Sequence, residues 1–490
     1  MSKEITDLRT AIDFLKTIPG QYMETDVEAD PICEIHGVYR YIGAGGTVPP
    51  PTREGPAVVF NNLKNYPNAR IMIGMLASRK RVAYLLGEEP ARLAFRLQEA
   101  VRQVIPPIVV GAEKAKCQEV VYRAEDPDFD IRKILPTTQS TFSDAGPCIT
   151  MGLCLASDPE TGESDVTIHR MFVLNKPDEI TFNYASTRHI GMMHKKAEAM
   201  GKPLPISVSI GLDPAVYVGA CFEPPTTPYG FNELGVAGAL RGRPVELAPC
   251  LTIPEYAIAN AEYVIEGELL PDVRIDEDCM TGNGESITEF PGYVGSAHKV
   301  IVLKVKAVTH RKNPIFQSII GASEEHVNMA GPPVEASIIE LVDKAMPGIL
   351  VNAYAHPAGG GKFFAILQVR KTKPTDEGRQ RQAALLAFGA YSELKHVILV
   401  DEDVDLFNNN DVLWALTTRF QGNIDSIFIP GVRYHRNDPS ARAEYSPFTR
   451  ADGAACKTIF DCTVPYEFKE WFARPKFMEL DYKKYFPDLI

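Results

Sequence analysis

Apolar side chains recur at helical spacing at the start of the chain, where Leu8, Ile12 and Leu15 share one stripe of a charged segment. That spacing predicts an amphipathic first helix. The runs AVVF (57–60) and RIMIGML (70–76) read as strands, and a helix opening at Pro90 carries Leu93, Leu97 and Val101 on one face. From about 116 to 320 the helical period gives way to DVTIHRMFVL (165–174), PISVSIGL (205–212), AEYVIEGELL (261–270), KVIVLKVKAVTH (299–310) and PIFQSII (314–320). Pro- and Gly-rich turns separate these runs, as in a barrel or sandwich, with one helix inserted after Thr187.

Beyond about 330 helices and strands alternate again. A helix VEASIIELVDKAM (334–346) precedes strands near 350 and 365, a helix from about 376 to 394 and strand HVILV (396–400). A helix opening at Asp411 and strand SIFIP (426–430) follow. The fold class expected is α/β in the multidomain α+β sense. An N-terminal α/β unit (1–115) precedes a central β-barrel-like domain (116–325) and a C-terminal α/β domain (326–490). The aromatics of EFKEWF (467–472) and KKYFPDLI (483–490) mark the tail as an oligomer contact.

Composition narrows the partners. Lys plus Arg is 51 against 63 for Asp plus Glu, a net charge of −12, which argues against nucleic acid or an anionic membrane. No apolar run approaches the roughly 18 residues of a membrane helix, and the charged N-terminus does not read as a signal peptide. The nine cysteines are scattered without a CxxC, so a reducing cytoplasm is the expected compartment.

Three tempting motifs fail. GAGGT (43–47) and GGGK (359–362) fit neither dinucleotide nor P-loop spacing and read as turns, with Lys362 free to face a site. DEDVDLFNNNDV (401–412) has Leu406 and Val412 where a calcium loop needs glycine and glutamate, so a carboxylate turn with Asp411 capping the next helix is expected. Neither GxSxG nor HExxH occurs.

DVTIHR (165–170) poses a sharper question. Period two puts Asp165, Thr167 and His169 on one face and Val166, Ile168 and Arg170 on the other. A strand burying only apolar surface needs neither the acid nor the imidazole, and an arginine there must find an anion. Taken with TRHI (187–190), FEPPTTPYG (222–230), GFNELGVAGAL (230–240), TEFPGY (288–293), EEH (324–326) and VDEDVD (400–405), the stretch resembles the UbiD family of prenylated-FMN-dependent decarboxylases. The likeness keeps motif order over nearly the whole chain and is closest to the branch acting on gallate and protocatechuate (3,4-dihydroxybenzoate).

The resemblance implies a prenylated FMN whose phosphate is bridged by a divalent cation, usually Mn²⁺, with K⁺ nearby. The metal ligands fall at Asp165, His189 and Glu233, a carboxylate–imidazole set suited to such an ion. Ile168, His169, Arg170 and Arg188 join them around the cofactor, and Arg170 also meets the reacting carboxylate. Glu289, in front of the Phe290-Pro291-Gly292 turn, is the expected proton donor. His326, Lys362 and His435 are the expected groups for a phenolate at the far end of the pocket. The implied reaction is reversible, non-oxidative decarboxylation of a hydroxybenzoic acid through a covalent prenylated-FMN adduct, giving catechol or pyrogallol. Implied partners are a small aromatic acid, a flavin prenyltransferase that supplies the cofactor, and further copies of the chain in a dimer or hexamer.

Two departures stand out. The wider family often has asparagine where this chain has Asp165, and a second glutamate common five residues before Glu289 is replaced by Gly284, with Glu285 shifted by one. The full Glu-Arg-Glu network is therefore not carried over, and the gap favours phenolic substrates. The alternatives are the same chemistry on 4-hydroxybenzoate or vanillate, an FMN-dependent oxidoreductase, and a non-catalytic flavin or metal carrier.

Overall fold

The computed structural model describes residues 4–49, 54–184, 188–433, 435–441 and 454–486. Thr187 of TRHI, Tyr434 and the last four residues of the tail lie outside them.

The N-terminal periodicity becomes helix Leu8–Leu15, with Leu8, Ile12 and Leu15 buried and Asp7 capping the first turn. Strands Tyr22–Thr25, Ala57–Phe60, Arg70–Ile73 and Ile315–Ser318 form one sheet in that order. The last of these pairs parallel with Arg70–Ile73, so PIFQSII joins the N-terminal sheet instead of the central strands that precede it in sequence.

The central sheet runs Val120–Arg123, Lys299–His310, Tyr263–Asp276, Leu204–Ile210, Cys148–Ser157, Ser164–Phe172, with Glu179–Phe182 also paired to Lys299–His310. It does not close into the expected barrel. Ser164–Phe172 is the last strand of the path, and beyond it, among the described residues, a single bridge, Val173 to Ile180, reaches the Glu179–Phe182 strand. The outer edge of Ser164–Met171 therefore has no ladder partner among the described residues, and a cavity lies beside it.

The C-terminal sheet has the order Leu350–Ala355, Phe364–Val369, His396–Asp401, Ala454–Cys462, Ser426–Arg433. Helices Glu324–Ala345 and Arg379–Ala390 pack Ile338, Ile339, Ala383 and Ala387 against Leu367, Val397 and Leu399. The first helix starts ten residues before the expected VEASII segment and runs through Pro332 and Pro333. Proline ordinarily ends such a reading because it removes a helix donor, but this helix is buried along most of its length and held by neighbours. The start of the 409–418 helix also differs. Asn408 caps it, and Asp411 sits in its first turn accepting from the Asp405 amide.

The tail exposes Trp471 (81%), Phe477 (88%) and Met478 (80%). No helix among the described residues is long and apolar enough to cross a membrane.

Candidate active site

Three chain segments converge beside the free edge of Ser164–Phe172. Asp165 lies on that strand, His189 opens helix His189–Ala199, and Glu233 stands at the N-cap of Leu234–Arg241. Their ligand atoms all lie within 4.8 Å of one another. His189 Nδ1 is 2.9 Å from Asp165 Oδ1, while Glu233 Oε2 is buried without a hydrogen-bond partner. Burial pushes the Asp165 carboxyl above its ordinary pKa, and burial together with the Asp165 charge pushes Glu233 well above its own. Two buried carboxylates with one imidazole and no internal cation form a donor set that a divalent ion would complete. The orphaned Glu233 oxygen faces the same requirement.

Next to the trio lies a cavity of about 300 Å³. Ile168, His169, Arg170, Arg188, Glu289, His326, Lys362 and His435 all line it, whereas Asp165, His189 and Glu233 stand just outside. Thr167 through Arg170 reach it as consecutive residues, which simple alternation forbids. An edge strand resolves this, because its backbone side is open as well as its faces. The neighbouring strand also bulges here. Met171 pairs with Ile149 but His169 pairs with Gly152, so an extra residue spans the position of Arg170.

His169 does not join the trio. Its Nδ1 meets the Asn183 carbonyl at 2.9 Å, its Nε2 is buried and unpaired, and burial lowers its pKa to about 4.

Arg170 Nη1 donates to Glu289 Oε1 at 2.6 Å, and its Nε donates to Glu277 Oε1 at 3.1 Å. A glutamate–arginine–glutamate network is therefore present, and the gap expected from Gly284 is filled from elsewhere in the chain. The second acid is Glu277, wholly buried at the end of strand Tyr263–Asp276. Glu285 does not serve, since it starts strand Glu285–Thr288 and makes no ion pair with Arg170. Burial alone would depress the Arg170 guanidinium, but Glu289 and Glu277 hold it above its ordinary value. In the sequence Glu277 sits in RIDED, indistinguishable from a solvated acidic turn; only the long antiparallel pairing of 263–276 with 299–310 delivers it beneath Arg170.

The turn after Glu289 is closed by Gly292 (φ +86), whose amide donates to the Glu289 carbonyl at 2.9 Å. Phe290, next in line, organises the opposite end of the cavity. The His326 ring stacks on it at 5.3 Å and 7°, His435 meets it edge-on at 4.9 Å, and Lys362 Nζ lies 5.4 Å from its centroid. Burial and then the Lys362 charge depress both His326 and His435 to about 3, so both imidazoles are neutral at ordinary pH. Arg188 pairs with Glu223 at 2.7 Å and lies 3.7 Å from Glu393. Glu223 comes from FEPPTTPYG; Asn183, Tyr391 and Arg436 are cavity residues that no motif singled out. Of EEH, Glu325 faces away and accepts from the Gly74 and Leu76 amides, tying its helix to the N-terminal unit.

One edge strand thus joins a carboxylate–imidazole cluster to an arginine–glutamate network beside a single cavity, and the chain belongs to the UbiD family of carboxy-lyases. Residues 15–101, 108–324 and 327–462 match, respectively, the N-terminal, Rift-related and C-terminal domains of 3-octaprenyl-4-hydroxybenzoate carboxy-lyase. The chain is 50% identical over 488 residues to gallate decarboxylase of Lactiplantibacillus plantarum, covering 99% of this chain and 100% of that one. It is similar to the solved apo 3,4-dihydroxybenzoic acid decarboxylase of Enterobacter cloacae, with 55% identity, a TM-score of 0.95 and 99% and 100% of the two chains covered. The UbiD-class enzyme HmfF of Pelotomaculum thermopropionicum, solved with FMN, is 30% identical with a TM-score of 0.86, covering 99% of this chain and 100% of that one. Its evolved dimeric form, solved with prFMN, is 29% identical with a TM-score of 0.82 and covers 96% and 97%.

Proposed function

We propose that this chain carries out reversible, non-oxidative decarboxylation of a hydroxybenzoic acid, protocatechuate to catechol or gallate to pyrogallol. The observation that carries the reading is one edge strand bordering one cavity, with Asp165 of the cation set and Arg170 of the glutamate-paired set five residues apart. The relatives that act on gallate and 3,4-dihydroxybenzoate support the substrate class.

Loss of CO₂ from a benzoate leaves an aryl anion whose lone pair is orthogonal to the ring, so the ring itself offers no resonance. Prenylated FMN, when bound, supplies the missing electron sink. Asp165, His189 and Glu233 would hold a divalent cation, Mn²⁺ in our reading with K⁺ nearby, that separates a phosphate from two carboxylates. Ile168, His169 and Arg188 line the cofactor's side of the cavity. Arg170 offers the substrate carboxylate the N–H donors that Glu277 and Glu289 leave over, its charge balanced by those acids. Glu289, held by Arg170, delivers the proton to the ring carbon. Neutral His326 and His435 exchange a hydrogen bond with a ring hydroxyl, and Lys362 supplies a positive charge at that end. A flavin prenyltransferase supplies the cofactor, and the exposed tail aromatics meet other copies of the chain.

Co-expression with a flavin prenyltransferase, followed by measurement of CO₂ from 4-hydroxybenzoate, protocatechuate, gallate and vanillate, tests the reading. Release from the catecholic acids is expected; none from any of the four would overturn it.

A further inference from the structure

Decarboxylation of an aromatic carboxylate consumes a proton, since ArCOO⁻ and H⁺ become ArH and CO₂. Glu289 therefore ends each turnover as a carboxylate beside Arg170 and must be recharged from solvent. A path that avoids the large cavity would recharge Glu289 before the aromatic product leaves.

A second cavity, of about 210 Å³, lies against the other side of the same pair. It shares Arg170, Glu289, Arg436 and Asn437 with the first, and its remaining wall runs from Tyr293 to His298 with Pro439. That volume admits several waters, and the walls are polar enough to order them. Glu289 is thus a partition with one face toward each cavity.

His298 is the imidazole of this wall, with its side chain about one-third exposed (32%). Its Nε2 lies 3.1 Å from Asn183 Oδ1 and 3.1 Å from Arg436 Nη2, and its Nδ1 lies 3.5 Å from Glu277 Oε2 and 3.5 Å from the Ser296 carbonyl. Burial and the charges of Arg436 and Arg170 favour the neutral imidazole, whereas Glu277 and the Ser296 carbonyl favour imidazolium. It is held between solvent and the buried network by both.

We infer that the second cavity is the route by which protons reach Glu289, with His298 passing them inward from solvent. This rests on Glu289 being the proton donor. A proton leaves hydronium or a buffer acid, resides on the imidazole and ends on the Glu289 carboxylate through water in the cavity. No other bond is made or broken. His298 acts through Glu289 and is a positioning and relay residue.

The test uses holoenzyme. His298→Gln keeps hydrogen-bonding capacity without a titratable ring, and its turnover at low buffer is expected to fall by roughly ten-fold or more. Added imidazole should restore the rate, while the KM for the hydroxybenzoate changes little. Ala297→Leu adds bulk to the lining of the second cavity, and in the double variant imidazole should no longer restore the rate. Wild-type turnover in His298→Gln overturns the inference. So does a slowed variant that imidazole leaves unchanged, or a double variant that imidazole still rescues. A Glu289→Gln enzyme that still turns over would instead overturn the assignment of Glu289, so the two failures are distinguishable.

Discussion

Two clusters a few residues apart along one strand are built from nearly the same parts. Around Asp165 there are two buried carboxylates and an imidazole; around Arg170 there are two carboxylates and a guanidinium. The first has no cation among its three side chains; burial drives both acids upward, and the Asp165 charge raises Glu233 further. The second carries its own cation, which those acids raise above its usual value. A cluster that lacks compensation is made to receive a charge from outside, whereas one that is already neutralised can hold geometry and move protons. The difference lies in one residue type, arginine against histidine, on a shared scaffold.

Breaking the compensated cluster should have the largest consequence. Arg170→Met leaves Glu277 buried without its partner, which is expected to cost about 3–5 kcal/mol in denaturant unfolding and to abolish CO₂ release. Glu289→Gln keeps the shape and removes the proton. Turnover should drop by about 10²–10⁴-fold with the unfolding midpoint close to wild type, and turnover within ten-fold of wild type would remove Glu289 from its role.

The uncompensated cluster should respond to ions. Mn²⁺ at about a hundred times its Kd should stabilise the chain by about 2.7 kcal/mol, read as a thermal shift against a chelator. Glu233→Gln should lose most of that gain, and an equal shift in wild type and variant would place the ion elsewhere.

The smallest effect concerns the two neutral imidazoles of the cavity. His326 and His435 remain unprotonated in the folded chain down to about pH 3 but take a proton near 6.5 once unfolded. The unfolded chain therefore binds more protons between those values, and stability is lost as pH falls through that window. Each imidazole contributes about 1.4 kcal/mol per pH unit. His326→Gln should flatten the slope between pH 6 and 4 by about one proton, and an unchanged slope would show that this ring is charged in the fold.

Much of this was legible in the order of residues. Helical stripes such as Leu8, Ile12 and Leu15 declare themselves because burial follows the local period. The motifs around Asp165, His189, Glu233 and Glu289 are unusual enough in type and order to point at one chemistry, and the fold brings the first three together. Glu277, His298 and Arg436 were not legible, since each sits in a stretch that reads as an ordinary polar turn.

What the sequence by itself determined is local: the amphipathic faces, the turn chemistry around Glu289, and the kinds of donor on offer. Tertiary structure alone decided that the central sheet stays open, that PIFQSII crosses to another sheet, and that Glu277 lies under Arg170. The physical reason is that pairing between strands distant in sequence fixes which polar groups are buried together. A buried charge is settled by its neighbours in space, which local periodicity does not encode.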